Sequence, residues 1–471
     1  MIVKASVTIT WDGGGNGTSW SDPLNWSTNV VPVSTDEVLI ATAATVNITE
    51  PITVKSLIIG VPGGNVASVL NFSYDAISVG PLTINDGNLT VYPGATITHT
   101  IASGLTIVGR ININVETGNA NIYGAISANS KGYGSSFGPG VGINIYNGTG
   151  GGAHAGFGGN GQAYAGGTTT YGDYKLPDKL GSGGGRYNAD AGGNGGGAIK
   201  LSVTGTLLVN GSISANGDQG ITGDQGTGGG AGGSIWLNVG ALTGSSTIST
   251  NGGNAIDANW DGGGGGGGRI ALYYTSNDIP LTSITSYGGR PLGGDYNAQK
   301  GGAGTIFMKS TVAANGNLII DNYQTDWNQT NPFKVAYTVL PTSLTVDNLT
   351  ITKFSDITYG STINVTNTFL IDQYSYFNDT SSIITNTLSI LNGSTFSNTS
   401  STTTSTLSVL NNSILYNQST ASFVYSTLNW TGGKLVDNGG TLALLSGGGD
   451  LTVPATSTLD SNVARSYSNV I

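Results

Sequence analysis

The chain of 471 residues is 9% charged and 37% hydrophobic, holds 78 glycines and no cysteine, and carries a formal net charge of −10. Its 16 Lys and Arg are scattered, which excludes the clustered cations that nucleic-acid binding requires, and the missing cysteines exclude a disulfide framework and thiolate metal sites. No apolar run approaches the ~20 residues of a membrane-spanning helix, and abundant Val, Ile, Thr and Tyr in short alternating runs argue for an ordered all-β chain rather than a disordered one.

In chain order, residues 1–130 open with a Trp/Gly segment and continue into the first turns of a stack of short strands. Met1 to Gly14 carries one Lys followed by polar alternation, so it lacks the apolar centre of a secretory leader. Three readings stay open: a leader already removed, a virion component released by lysis, or a piece of a longer chain, and the repeat pattern still running at Ile471 is compatible with the third.

Residues 131–305 hold 54 of the 78 glycines. Four related strands are embedded among them, centred on Ile199, Ile235, Ile270 and Ile306, which lie 36, 35 and 36 residues apart. A second strand follows each by 13 or 14 residues, marked by Ile213, Ile248, Ile284 and Leu318 or Ile319. The runs Gly183–Gly185, Gly195–Gly197, Gly228–Gly230 and Gly262–Gly268 recur beside these strands. Lacking Cβ atoms, such runs are predicted to lie extended and to hydrogen-bond side by side.

In residues 306–471 the anchors Leu349, Phe369, Leu388, Leu407 and Leu428 are spaced 20, 19, 19 and 21 residues apart. Eight residues after each comes a second apolar position (Ile357, Phe377, Phe396, Leu415, Val436), and Ile363, Ile383 and Leu442 mark a third. Three short strands per ~20-residue turn predict a parallel β-helix whose inward side chains stack between turns. Because both registers share the 13–14-residue offset, the whole chain is expected to be one right-handed parallel β-helix, with one loop per turn enlarged to about fifteen glycine-rich residues in the middle.

Trp11-Asp12-Gly13-Gly14-Gly15, Trp20, Asn25-Trp26, Pro32 and Asp36-Glu37-Val38-Leu39-Ile40 together resemble the opening segment that precedes the β-helix in many bacterial secreted and autotransporter-like surface proteins. The strands Gly268-Arg269-Ile270-Ala271-Leu272 and Gly302-Ala303-Gly304-Thr305-Ile306 are similar to the glycine-rich repeats of very large bacterial cell-surface proteins, and more loosely to phage fibre adhesins with packed polyglycine. The resemblance implies a β-helix on a cell or virion surface and names no activity.

Aromatic residues in the glycine-rich loops are the candidate binding groups: Tyr133, Phe137, Phe157, Tyr164, Tyr171, Tyr174, Tyr187, Trp260 and Tyr296. A glycine background leaves rings prominent, which suits sugar stacking or protein contact; the competing reading is that they pin neighbouring loops together. Asp218, Asp224, Asp257, Asp261 and Asp295 lie in successive insertions, where they read first as turn residues. Paired, they would suit a polysaccharide lyase or glycoside hydrolase, and grouped they would suit Ca2+. His99 and His154 are the only histidines, and His154 is expected in an exposed loop. The expected function is an extracellular structural or adhesive element without catalytic residues or cofactor. Its partners would be glycans or other surface-protein chains, including further copies in a homo-oligomer or filament.

Overall fold

The computed structural model describes residues 8–143, 148–162, 164–221, 226–255, 261–291, 298–323, 335–340, 343–359, 362–379, 382–418, 421–442, 450–451, 453–454, 456–461 and 469–470. Almost every regular element among them is a β-strand, and almost every pairing is parallel. No described helix is long and apolar enough to cross a membrane.

The expected columns form. Ile199, Ile235, Ile270 and Ile306 pair in sequence, as do Ile213, Ile248 and Ile284. Leu349, Phe369, Leu388, Leu407 and Leu428 share one ladder, the first four completely buried. No single turn could cover these side chains by itself, whereas neighbours above and below do. Each is worth roughly 1.5–3 kcal/mol on burial. Within a turn, two of the expected strands are often fused. Ala198–Val209 and Ile363–Ile371 each run through a bend where the ladder shifts register, so one long bent strand and one short strand make up the turn.

Two register expectations are corrected. Leu435, not Val436, pairs with Leu415, because the turn that begins at Leu428 reaches its second strand a residue early, past Gly432-Gly433. Leu318 and Ile319 do not follow Ile284. Strand Asn317–Asp321 instead folds back antiparallel on Thr305–Ser310, pairing Ile306 with Ile319 and Phe307 with Leu318 across a turn that ends at Gly316, whose φ is +83°.

That hairpin divides the packing in two. Successive residues of a strand face opposite sides of the sheet. Ile306 and Ile319 complete the core of the preceding turns, while Phe307, Leu318 and Ile320 begin a second core that continues through Leu349 and its column. The strands after the hairpin are again parallel to one another. The expected uninterrupted stack is therefore two parallel stacks joined through an antiparallel step.

At the other end, Trp11, Trp20 and Trp26 form a buried edge-to-face cluster with centroids 5.0 and 4.7 Å apart. The Trp26 indole donates to the Trp20 carbonyl at 2.8 Å, and buried Asn25 accepts from the Gly15 and Gly17 amides. Asn47, on the first strand of a sheet, donates to the Thr18 carbonyl and accepts from the Trp20 amide. This segment thus occupies an edge that would otherwise be open to another chain.

Candidate functional site

The glycine-rich stretch is an ordered array. Segments 192–197, 226–233, 261–268 and 298–304 lie side by side, joined by Gly196 N to Ala231 O (2.8 Å), Gly232 N to Gly266 O (2.9 Å) and Gly267 N to Gly302 O (2.9 Å). On one side they bond to segments 215–221, 251–255 and 287–291, through Gly230 N to Asp218 O and Gly265 N to Gly253 O, both 2.9 Å. On the other they meet 150–153, 156–161 and 181–185, through Gly152 N to Gly229 O (2.9 Å) and Gly159 N to Gly264 O (2.7 Å).

None of the glycines from 262 to 268 has a left-handed φ, so the requirement there is space rather than dihedral freedom. A Cβ on Gly265 would meet the Gly230 carbonyl oxygen far inside 3.0 Å, a limit real Cβ contacts essentially never cross. The side-by-side bonding predicted from the glycine runs is present. One feature departs from expectation: residues 131–197 are not a per-turn loop but a single long excursion between strands Ala125–Ser127 and Ala198–Val209. It supplies the layer containing 150–161 and 181–185.

The candidate aromatics do not gather in one place. Tyr174 is buried, edge-on to Phe307 at 5.4 Å, in the second core. Tyr171 is half-buried; its hydroxyl donates to the Leu180 carbonyl at 2.7 Å and lies 2.7 Å from Ser182 Oγ. Tyr133 packs against a separate small cluster of Ala102, Leu180 and Ala198. Phe157 takes part through its backbone, donating to the Tyr337 carbonyl at 2.9 Å and accepting from Gly302. Tyr164 and Tyr187 are half-buried, and Phe137 is exposed. Trp260 and Tyr296 lie outside the described residues, as do Asp224, Asp257 and Asp295.

Asp218 is exposed and Asp261 buried, and among the described residues no group of three His, Asp or Glu is arranged to hold a metal ion. His154 is a correction: it is completely buried, not in an exposed loop. Its Nδ1 lies 2.8 Å from the Gly232 carbonyl, and its ring lies tilted by 34° against Tyr171, with centroids 4.7 Å apart. Burial, with Arg269 nearby, lowers its pKa to about 3. Buried Arg269 is held by the Tyr171 carbonyl and Thr305 Oγ1 at 3.0 and 3.3 Å. The excursion is thus locked to the strands by this pair of rings and a guanidinium.

One concave feature escaped the sequence reading. Where strands 198–209, 234–244, 269–277 and 305–310 bend, a groove of about 340 Å3 crosses all four. Ser202, Asn238, Tyr273 and Lys309 occupy equivalent ladder positions along it, with Tyr274 and Thr275 beside them. No Asp or Glu lines it. Burial raises the Tyr273 and Tyr274 phenols above their usual range, so both stay protonated at neutral pH, and the Tyr273 hydroxyl donates to the Lys175 carbonyl at 2.9 Å. On the same face, one ladder step away, Lys200 sits over the Trp236 ring at 4.2 Å. With strands ~4.8 Å apart, the groove runs for ~14 Å. It offers hydroxyls, an amide and an ammonium beside Tyr273 and Tyr274, a set that both donates and accepts hydrogen bonds. No family model, curated protein or solved structure matches the chain.

Proposed function

We propose that the protein is an extracellular structural and adhesive element: two right-handed parallel β-helical stacks joined through the antiparallel step and stiffened by the glycine array, with linear glycans held along the groove at Tyr273 and Tyr274. The observation that carries the reading is that groove, a polar and aromatic channel crossing four strands with no carboxylate in its lining. Rings with neighbouring hydroxyl and amide groups suit the apolar faces and hydroxyls of sugars. Paired carboxylates, which glycoside hydrolysis uses, are missing from it. The array anchors one wall, since Lys175, in the excursion, accepts from Tyr273.

Binding to a panel of neutral and acidic oligosaccharides tests the proposal. Saturable binding that Tyr273→Ala or Tyr274→Ala weakens at least tenfold while the chain stays folded, with no new reducing ends or unsaturated products, is the expected result. Product release would replace adhesion by catalysis, and binding indifferent to both substitutions would remove the groove from the proposal.

A further inference from the structure

In the second stack successive turns carry a tight corner built from two left-handed residues. These are Lys353-Phe354 (φ 54° and 62°), Gln373-Tyr374 (51° and 59°), Asn392-Gly393 (51° and 76°) and Asn411-Asn412 (55° and 63°). Such angles are uncommon for side chains other than Asn, and rarer still for bulky ones. They persist here because neighbouring corners bond to one another, Phe354 N to the Gln373 carbonyl at 3.0 Å and Tyr374 N to the Asn392 carbonyl at 3.1 Å. The last two corners place Gly or Asn second, as the backbone prefers. The first two instead place an aromatic ring there.

Those rings stack on each other, 5.4 Å apart and 13° from parallel. Beside them is a slot of about 100 Å3 bounded by Phe354, Tyr374 and Gly393 on the corner side and by Asp356, Ser375 and Tyr376 on the strand side. The Gly393 position is adapted to it, since a Cβ there would press on the Tyr374 ring at 2.6 Å. Asp356 is the anomaly. One carboxyl oxygen is buried with no hydrogen-bond partner, and among the described residues no cation pairs with it. Lys353, three residues away, is already committed to Asp321 at 2.6 Å. Ser375 Oγ is likewise buried and unpartnered.

A lone carboxylate beside aromatic rings is an incomplete arrangement. Burying it without a partner is costly, and the faces of the rings carry negative potential that attracts a cation rather than compensating one anion with another. The slot is rich in acceptors and has no charged donor. The hydroxyls of Tyr374, Ser375, Tyr376 and Thr395 can donate to a neutral ligand, but none of them neutralises the Asp356 carboxylate, as an organic ammonium ion would.

We propose that this slot binds an alkylammonium group, with Phe354, Tyr374 and Tyr376 contacting its methylene and ammonium hydrogens and Asp356 supplying the opposing charge. The proposal is independent of the groove at Tyr273. The chain's net charge of −10 favours approach of a cation. Burial raises the Asp356 pKa to about 7, so the ionised partner is more available in mildly alkaline than in mildly acidic solution, and a bound cation would pull the proton off.

Calorimetric titration of the full chain with n-butylammonium chloride tests this, with n-butanol as the uncharged control and sodium chloride at matched ionic strength. Binding is expected to be at least tenfold tighter at about pH 8.5 than at about pH 5.5. Asp356→Asn should reduce affinity at least tenfold, with a melting temperature no lower than the parent's because the unpaired buried charge is gone, and Tyr374→Leu should reduce it severalfold while the chain stays folded. A lysine-containing peptide that binds more tightly than butylammonium assigns the natural source to a protein partner; equal affinity assigns it to a free amine. Equal binding of n-butanol, binding unaltered in Asp356→Asn, or no saturable heat at tens of millimolar ligand would overturn the site. If Asp356→Asn fails to fold, Phe354→Leu and the pH comparison on the unmodified chain decide between the same two outcomes.

Discussion

Gly265 lies in the middle of the array and provides its sharpest test. Its amide donates to Gly253 at 2.9 Å, and its carbonyl accepts from Gly289 at 2.7 Å. The Cβ of Gly265→Val would run into the Gly230 carbonyl, with Ala231 N 3.1 Å away. The segments must separate by about 1 Å or more to admit it, an overpacking cost of about 1–3 kcal/mol. Separation also weakens both hydrogen bonds, each worth about 0.5–1.5 kcal/mol net, so the expected local destabilisation is about 2–6 kcal/mol, with valine towards the upper end. Because stability varies along a stack, hydrogen exchange read segment by segment is the appropriate assay. Amides in 226–233, 250–255 and 286–291 should lose protection while those in Arg269–Asn277 keep most of theirs. Gly134→Ala is the control: its nearest neighbour would be Asn194 Oδ1 at 3.7 Å and its φ is not left-handed, so exchange should be unaltered. Equal protection in Gly265→Val and the parent would mean that the glycine segments are not packed as described.

Leu407→Asp places a carboxylate at a completely buried point of the second core; a loss of about 3–5 kcal/mol in the turns around it is expected by analogy with unpaired buried charge, and an unchanged urea transition would show the side chain facing outward. Stability should fall on acidification through the two histidines. Burial lowers His99 to about 4 and His154 to about 3, below the ordinary 6.5, so between those values the unfolded chain binds more protons and stability drops as pH falls below 6.5, by roughly 2–3 kcal/mol per ring at about pH 4. Asp356, raised to about 7, acts in the opposite sense over part of that window. The measurement is therefore the difference in melting temperature between the parent and His154→Gln across pH, which should narrow as pH falls; a constant difference would refute the assignment.

Periodicity made the columns legible because a stack repeats the same burial demand every turn. Leu349, Phe369, Leu388 and Leu407 announce themselves whatever lies between them. Where the sequence misled, a local event reset the count. Gly432-Gly433 shortened the path to the next strand, and the reversal at Gly316 turned Leu318 back on Phe307. That reversal left no distinct trace: Ile306-Phe307-Met308 is apolar on both faces of the strand, but so are Ile235-Trp236-Leu237 and Ile270-Ala271-Leu272, which pair in parallel. The groove was hidden for a different reason. Ser202, Asn238, Tyr273 and Lys309 are chemically unlike, and only the ladder register brings them into line. The rings of Tyr171 and Tyr174 looked prominent against glycine, yet the excursion that carries them folds back on the strands and uses them as contacts.

The glycine array also constrains how this chain can evolve. Across its central segments, an added methyl group meets a backbone carbonyl of another segment, as at Gly229, Gly232 and Gly264. Any change in the first or second base of those codons replaces glycine, so nearly every coding mutation there is filtered by folding before it can affect recognition. The groove lies on strand positions outside that filter at Ser202 and Asn238, whereas Tyr273 is tied to the Lys175 carbonyl. Inherited variation should therefore accumulate along the groove and at the ends of the glycine segments, leaving their middles nearly fixed, so that a lineage could change the groove's surface without redesigning the frame that presents it.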